Sequence, residues 1–327
     1  MTKARSVMIY GPSGSTKTSQ LYHAAKYIHR ITGGKKLRLI HSDPGGYAPF
    51  EDSGMIERGE VEVYNYGASQ YALADFRRLS MGYWPKLVRG NNAYPLSDRD
   101  GGEIYFKSED VCKTQNWDEV GGYLIDGISS IGEVLKNHCS DQDEGVGFKP
   151  SWKYEEDGYT ITGLQEGHYG LVQKEIHSRF IKGFSNLPIP WLLVTALVGK
   201  GEDKQRRETV YGPQIVGNAA TPQAPTWFGD CIHLELAKYR QVPSKLAPEV
   251  EDKEVEKMVA WFTQHNDSNT GITYLCKPRL LPEQYPKLLE YFPYGFVPLG
   301  YRQGIDLYFA VLEKLRKEFK TDNAQES

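Results

Sequence analysis

The chain has 327 residues, with 39 Lys and Arg against 42 Asp and Glu and a formal charge of −3. That near-balance excludes a blanket electrostatic case for nucleic acid or membrane surfaces and leaves room only for local basic loops. Hydrophobic residues make up 39% and aromatics 12% of the chain, enough for the core of one large domain or two small ones.

Residues 7–10, Val-Met-Ile-Tyr, form an apolar run that predicts a short buried strand. Gly11, Pro12, Ser13, Gly14, Ser15 and Thr16 make a turn, and Lys17, Thr18 and Ser19 follow. Leu21, Ala24, Ala25 and Ile28 then recur at helical spacing. Strand, glycine-containing loop and helix in that order are the setting of a phosphate-binding loop. Backbone N–H groups of such a loop wrap a di- or triphosphate, and the helix N-terminus adds a favourable field. Lys17 is expected to reach the terminal phosphates and the Thr18 hydroxyl to bind Mg²⁺. The full pattern G-x-x-x-x-G-K-[ST] is met at Gly11, Lys17 and Thr18, but Thr16 stands where the second glycine belongs. Thr carries a Cβ and is disfavoured wherever the loop demands a positive φ, a demand that Gly14 takes up in part. The bland alternative is a surface turn that binds nothing.

Residues 37–41 predict a second buried strand, ending at Ser42-Asp43-Pro44. Ligands of α/β sheets bind at the C-terminal edge of the strands. Asp43 therefore reads either as the group that polarises an attacking water or holds the Mg²⁺ shell, or as a turn cap before Pro-Gly-Gly. A third strand is expected over 61–66 and a helix over 71–79. Residues 85–117, rich in Gly, Asn, Asp and Pro, read as an insertion with a hairpin near 103–106.

Residues 121–126, Gly-Gly-Tyr-Leu-Ile-Asp, predict a buried strand ending in Asp126, the usual partner of a phosphate loop, whose carboxylate holds Mg²⁺. Gly127 follows, so no glutamate stands beside it. A helix over 128–139, a polar loop over 140–163 and a helix over 164–184 come next. Residues 190–198 predict a strongly apolar strand. Thr195 near its end reads either as a sensor of the γ-phosphate or as a satisfied core hydroxyl.

Residues 199–229 read as a loop carrying Lys200, Lys204, Arg206 and Arg207, able to hold a DNA backbone. Glu202, Asp203 and Glu208 offset that charge, so a solvated loop is the alternative. A strand over 231–236 and a Glu- and Lys-rich helix over 248–264 are expected. Residues 271–279 read as an exposed strand with Lys277 and Arg279 on one side and Pro278 marking an edge. The pair reads either as fingers for a neighbouring subunit's nucleotide or as charges that guard an edge. An amphipathic helix over 305–319 precedes a polar tail. The four cysteines, Cys112, Cys139, Cys231 and Cys276, form no Cys-x-x-Cys pair and read as reduced residues of a cytosolic protein. The N-terminus shows no apolar signal segment and the chain no apolar run of about 18 residues, so no membrane partner is expected.

The order of these elements resembles the RecA-like ATPase core. Within it the chain is similar to the phage nucleotide-binding protein family, which includes phage recombinases that act on single-stranded DNA. The matching pieces are the loop from Gly11 to Thr18, Tyr123-Leu-Ile-Asp126, Thr195-Ala-Leu, Tyr211-Gly-Pro-Gln-Ile-Val-Gly217 and Lys277-Pro-Arg279. The resemblance implies an α/β fold with a mostly parallel central sheet flanked by helices. The core would span 1–245 with the insertion at 85–117, followed by an extension over 246–319 that carries the Lys-x-Arg strand, and a flexible tail over 320–327.

It further implies an ATPase that binds ATP and Mg²⁺ and works as a homo-oligomer with ATP at subunit interfaces. Loops 140–163 and 199–229 would meet single-stranded DNA, in recombination or replication in the cytoplasm of an infected bacterial host. Catalytic roles fall to Lys17, Asp43, Asp126, Thr195, Lys277 and Arg279. Asp43 is one methylene shorter than the family's glutamate, which with Thr16 implies slow or DNA-stimulated turnover. The rival reading is an ATP-dependent assembly or DNA-packaging accessory factor. A small-molecule kinase is a third, and it gives the Lys-x-Arg strand no place.

Overall fold

The computed structural model describes residues 4–42, 46–67, 72–85, 111–141, 153–156, 159–162, 166–203, 207–217, 220–300 and 304–325. The first strand, β1 (Arg5–Gly11), is buried along its whole length. Met8 and Tyr10 belong to one core and Val7 and Ile9 to another, because successive side chains of a strand point to opposite faces. A strand covered on both faces has to be apolar at every position, and that is why 7–10 read as one continuous run.

In chain order the further strands are β2 (Lys36–His41), β3 (Val61–Asn65), β4 (Tyr83–Pro85), β5 (Val111–Lys113), β6 (Val120–Asp126), β7 (Lys153–Glu156) and β8 (Tyr159–Thr162). They continue with β9 (Trp191–Asp203), β10 (Glu208–Pro213), β11 (Asp230–Gln241), β12 (Lys253–Trp261), β13 (His265–Asn266), β14 (Thr273–Tyr274) and β15 (Phe296–Pro298). The helices are α1 (Lys17–Ile31), α2 (Ala48–Asp52), α3 (Ala72–Ser80), α4 (Ile128–Asp141), α5 (Glu166–Ser178), α6 (Tyr285–Tyr291) and α7 (Asp306–Gln325). A π turn, Arg179–Gly183, continues α5.

Strands β3, β2, β6, β9, β1 and β11 lie side by side and parallel. The sheet does not stop there. β12 pairs antiparallel with β11, and β15 with β12. On the other side β10 pairs antiparallel with the far half of β9, β14 runs parallel to β10, and β13 antiparallel to β14. The expected mostly parallel sheet is therefore corrected to a mixed sheet of 11 strands. The cause is strand length. β9 has 13 residues and β11 has 12, against 7 in β1. Their projecting halves find no parallel neighbour and take antiparallel partners instead.

Three local expectations change with it. Residues 248–264 do not form a helix, because β12 occupies Lys253–Trp261, in register with β11 over nine positions. The charges that mimic helical spacing pair across the ladder, Lys238 with Glu256 at 3.9 Å and Arg240 with Asp252 at 2.6 Å. The span 199–229 is not a loop throughout, since β9 runs on to Asp203 and returns as β10. Within 140–163, β7 and β8 form a hairpin. The expected hairpin near 103–106 lies outside the described residues.

Helices cover both faces. Leu21, Ala24 and Ile28 of α1 share a core with Tyr308, Phe309 and Leu312 of α7. Phe76 of α3, Ile131 of α4 and Ile176 of α5 pack on the opposite face. The base of the sheet is pinned by a polar knot. The fully buried Asp230 accepts hydrogen bonds from the Tyr308 hydroxyl (3.1 Å) and the Arg279 N–H (2.8 Å). Arg5 faces it at 3.5 Å and reaches Glu313 of α7 at 3.0 Å. Among the described residues, no helix is long and apolar enough to cross a membrane.

Candidate nucleotide site

The loop from Gly11 to Thr18 leaves the C-terminal end of β1 and enters α1. Two backbone positions decide its shape. Gly11 sits where an added Cβ would lie 2.6 Å from both the Leu234 carbonyl oxygen and the Ser15 hydroxyl, so no larger residue fits. Thr16 adopts φ +60° and ψ +20°, the left-handed region, directly before the first helical residue. The conformation that a glycine usually takes is thus kept here by a threonine, at a cost of about 1–2 kcal/mol.

The start of α1 is open to an anion. The Thr16 side chain makes no cap hydrogen bond, and the first turn holds no acidic residue. Uncapped N–H groups and the helix dipole favour negative charge at this point. Lys17 folds back across the loop, its Nζ donating to the carbonyl oxygens of Gly11 (3.1 Å) and Pro12 (2.7 Å) and lying 3.4 Å from the Ser15 hydroxyl.

Asp126 lies at the floor of the site. It ends β6, which sits between β2 and β9, and it is 2% exposed. The Thr18 hydroxyl donates to its Oδ2 at 2.8 Å and the Thr195 hydroxyl to its Oδ1 at 2.5 Å. Thr195 in turn accepts the Gly127 N–H at 2.8 Å. The fully buried Thr195 hydroxyl thus serves Asp126 and the turn behind it. Gly127 holds φ +84°, a conformation that a side chain would strain.

These groups line a cavity of about 300 Å³ with the loop on one side and Asp126, Ser129 and Leu197 on the other. A larger groove of about 950 Å³, bordered by Tyr22, His23, Lys26 and Met258, adjoins it through Thr16 and Ser19. Thr18 donates a hydrogen bond to Asp126 and keeps its oxygen lone pairs, and the carboxylate adds further oxygens. An all-oxygen donor set of this kind fits Mg²⁺.

The structure brings together Gly11, Pro12, Ser13, Gly14, Ser15, Thr16, Lys17, Thr18, Ser19, Asp126 and Thr195. It does not bring Lys277 and Arg279 to them within one chain. Lys277 bridges Cys231 through the backbone, and Arg279 lies against Gly229, whose N–H donates to the Ser6 carbonyl at the start of β1. From Ser6 to Gly11 is five strand residues, about 17 Å. Only Thr273–Tyr274 of the expected edge strand is a strand, and the chain then passes under Tyr10, whose hydroxyl donates to the Leu275 carbonyl. Burial, with Arg279 beside it, holds the Lys277 ammonium below its ordinary range. Asp43, Lys204 and Arg206 lie outside the described residues. Ser42, next to Asp43, donates to the Gly127 carbonyl at 3.4 Å.

Sequence reasoning missed Ser129. Its hydroxyl accepts the Leu197 N–H at 2.9 Å and donates to the Gln214 carbonyl at 2.7 Å, tying α4 to β9 and to the segment after β10. No spacing rule marks such a serine, because both partners are distant backbone groups. Cys139, Cys231 and Cys276 are buried thiols outside any disulfide.

In comparisons with known proteins, no family model matches the chain, and no curated protein matches it.

Replacing Thr16 by Gly should relieve the left-handed strain. Urea unfolding of Thr16→Gly is expected to give a gain of about 1 kcal/mol over the wild type, the strain less the extra backbone entropy of glycine. A loss of stability would show that the threonine side chain contributes more than its backbone costs.

Proposed function

We propose that the chain is a Mg²⁺-dependent ATPase with a RecA-like P-loop core, acting on single-stranded DNA in phage recombination or replication. The observation that carries this reading is the hydrogen-bonded run Thr18–Asp126–Thr195 at the mouth of an uncapped, glycine-turned helix start. A buried carboxylate is costly unless its oxygens are satisfied, and here both are held by hydroxyls from two different elements. The β9 strand between β1 and β6 is what lets Thr195 reach Asp126.

On this reading the backbone N–H groups of 13–18 wrap the β- and γ-phosphates. Lys17 exchanges the Gly11 and Pro12 carbonyls for phosphate oxygens. Thr18 and Asp126 hold Mg²⁺, which supplies charge neutralisation at those oxygens when bound. Thr195 is a positioning residue that keeps the Asp126 carboxylate turned toward Thr18. Asp43 polarises the attacking water. The 950 Å³ groove beside Thr16 has room for the nucleoside. The DNA link rests on β9. The strand that carries Thr195 runs without a break into the β9–β10 hairpin, which exposes Lys200 and Arg207.

Steady-state ATP hydrolysis with and without single-stranded DNA tests the assignment. We expect stimulation by DNA that declines as salt rises, since phosphate contacts release counterions, and loss of turnover in Asp126→Asn. Turnover indifferent to DNA at every salt concentration would favour the assembly or packaging reading.

Arg279 lies toward the far end of β1 from its own loop and Lys277 level with Met8 in the middle of that strand, so a nucleotide held by a second copy is the better match for the pair. In a closed interface their charge would count for more than on an open surface, and arginine fingers are worth about 10³–10⁵ in rate. Mixing Lys17→Ala with the Lys277→Ala/Arg279→Ala variant should restore hydrolysis that neither shows alone. Co-assembly seen by light scattering without recovered activity would eliminate the role in trans.

A further inference from the structure

Away from the phosphate loop, three donor side chains converge beside β11. His233 and Glu235 are two residues apart on that strand and point to the same side. His265 arrives on β13, after the turn that follows β12. The ligand atoms of all three lie within 4.8 Å of one another. His233 Nδ1 is 3.3 Å from His265 Nε2, and His265 Nε2 is 3.2 Å from Glu235 Oε1. Glu235 Oε2 is 4.0 Å from His233 Nδ1.

We propose that His233, Glu235 and His265 form a binding site for a transition-metal dication of the zinc type, one that fastens the β13–β14 hairpin to the central sheet. Nitrogen and oxygen ligands bind Zn²⁺ at about 2.0–2.1 Å, and at a tetrahedral angle two such atoms stand about 3.3 Å apart. Two of the three separations here have that value. Two imidazoles and a carboxylate suit Zn²⁺ and its neighbours better than Mg²⁺ or Ca²⁺. Three protein ligands leave a fourth position for water, and the partly exposed Glu235 gives solvent a way in.

The surroundings orient Glu235 and His265 as a metal site requires. The Trp261 indole N–H donates to Glu235 Oε1 at 2.6 Å and fixes the carboxylate. His265 stacks on Trp261 at 4.1 Å and 14°, and His233 on Tyr274 at 4.0 Å and 15°. His265 Nδ1 is 3.4 Å from the Thr263 carbonyl oxygen. A proton on Nδ1 leaves the Nε2 lone pair facing the cluster, the usual way a second-layer carbonyl orients a histidine ligand. Charge points the same way. Among the described residues the ion contacts of Glu235 are with these two histidines, and none is with Lys or Arg. A dication supplies the positive charge that this part-buried carboxylate otherwise lacks.

Such a site would act as a clamp. His233 is the register partner of Tyr10, the residue before Gly11. Tyr274 is paired with Tyr211 of β10. A metal bridging β11 and β13 would join the phosphate-loop strand, the β13–β14 hairpin and β10 into one body.

The test uses the full-length, untagged chain, stripped with chelator and titrated with Zn²⁺ by calorimetry and with Co²⁺ by visible absorption. One equivalent per chain is expected, with the d–d bands of tetrahedral cobalt and a higher Tm on adding Zn²⁺. His265→Ala should lose all three signals. Glu235→Gln, which keeps the Trp261 hydrogen bond, should weaken binding and change the cobalt spectrum. Asp126→Asn should keep full stoichiometry, separating this site from the phosphate loop. No saturable binding of either ion would overturn the proposal, as would unchanged binding in His265→Ala. If His265→Ala fails to fold by circular dichroism, an unchanged Kd and spectrum in Glu235→Gln overturns it equally.

Discussion

A carboxylate taken out of water must find donors or lose its charge. Asp126 is 2% exposed, and it finds them in two threonines from different parts of the chain. Thr18 belongs to the helix that opens after the loop, and Thr195 to the strand that wedges between β1 and β6. Remove either and a buried oxygen loses one of its donors, at a cost of about 1–3 kcal/mol. The order of strands, the turn at Gly127 and the entry angle of α1 all have to be right for that one side chain to be satisfied. The site is therefore a consequence of the sheet rather than an ornament on it.

The same sheet ties the site to distant parts of the chain. β9 carries Thr195 in its buried half and forms the exposed hairpin with β10 in its other half. β11 pairs with β1 from Asp230 to His233 and carries Glu235 just beyond. Both long strands connect the phosphate-loop edge to antiparallel additions that have no role in a purely parallel sheet. The polar knot of Arg5, Asp230, Tyr308 and Arg279 locks the opposite end, where Lys277 is half-buried.

Much of the central sheet was legible in the sequence because a strand covered on both faces has no polar position to obscure it. Residues 7–10 of β1, β6 and the first half of β9 are of this kind, β2 departs from it at Arg38, and the Asp at the end of β6 stood out against them. β12 was not legible. Glu254 with Lys257 and Lys253 with Glu256 are three apart, as helical ion pairs would be, and only the ladder to β11 decides the conformation. Residues 199–203 read as loop because they are polar, yet pairing with β10 makes them strand. The role of Thr195 emerges only in three dimensions, since nothing local says that its hydroxyl meets Asp126. The His233, Glu235 and His265 group was invisible for the same reason, as His265 reaches the β11 pair from a different strand.

We propose that the loop from Gly11 to Thr18, backed by Asp126, binds a Mg²⁺-nucleotide. Titration calorimetry of wild type and Lys17→Ala with ATP, each with and without Mg²⁺, tests it most directly. Lys17 now donates to loop carbonyls on the surface of the site, so its removal leaves the buried core intact. Saturable, Mg²⁺-dependent binding is expected of the wild type, and its loss in Lys17→Ala. Equal ATP affinity in the two proteins would contradict it.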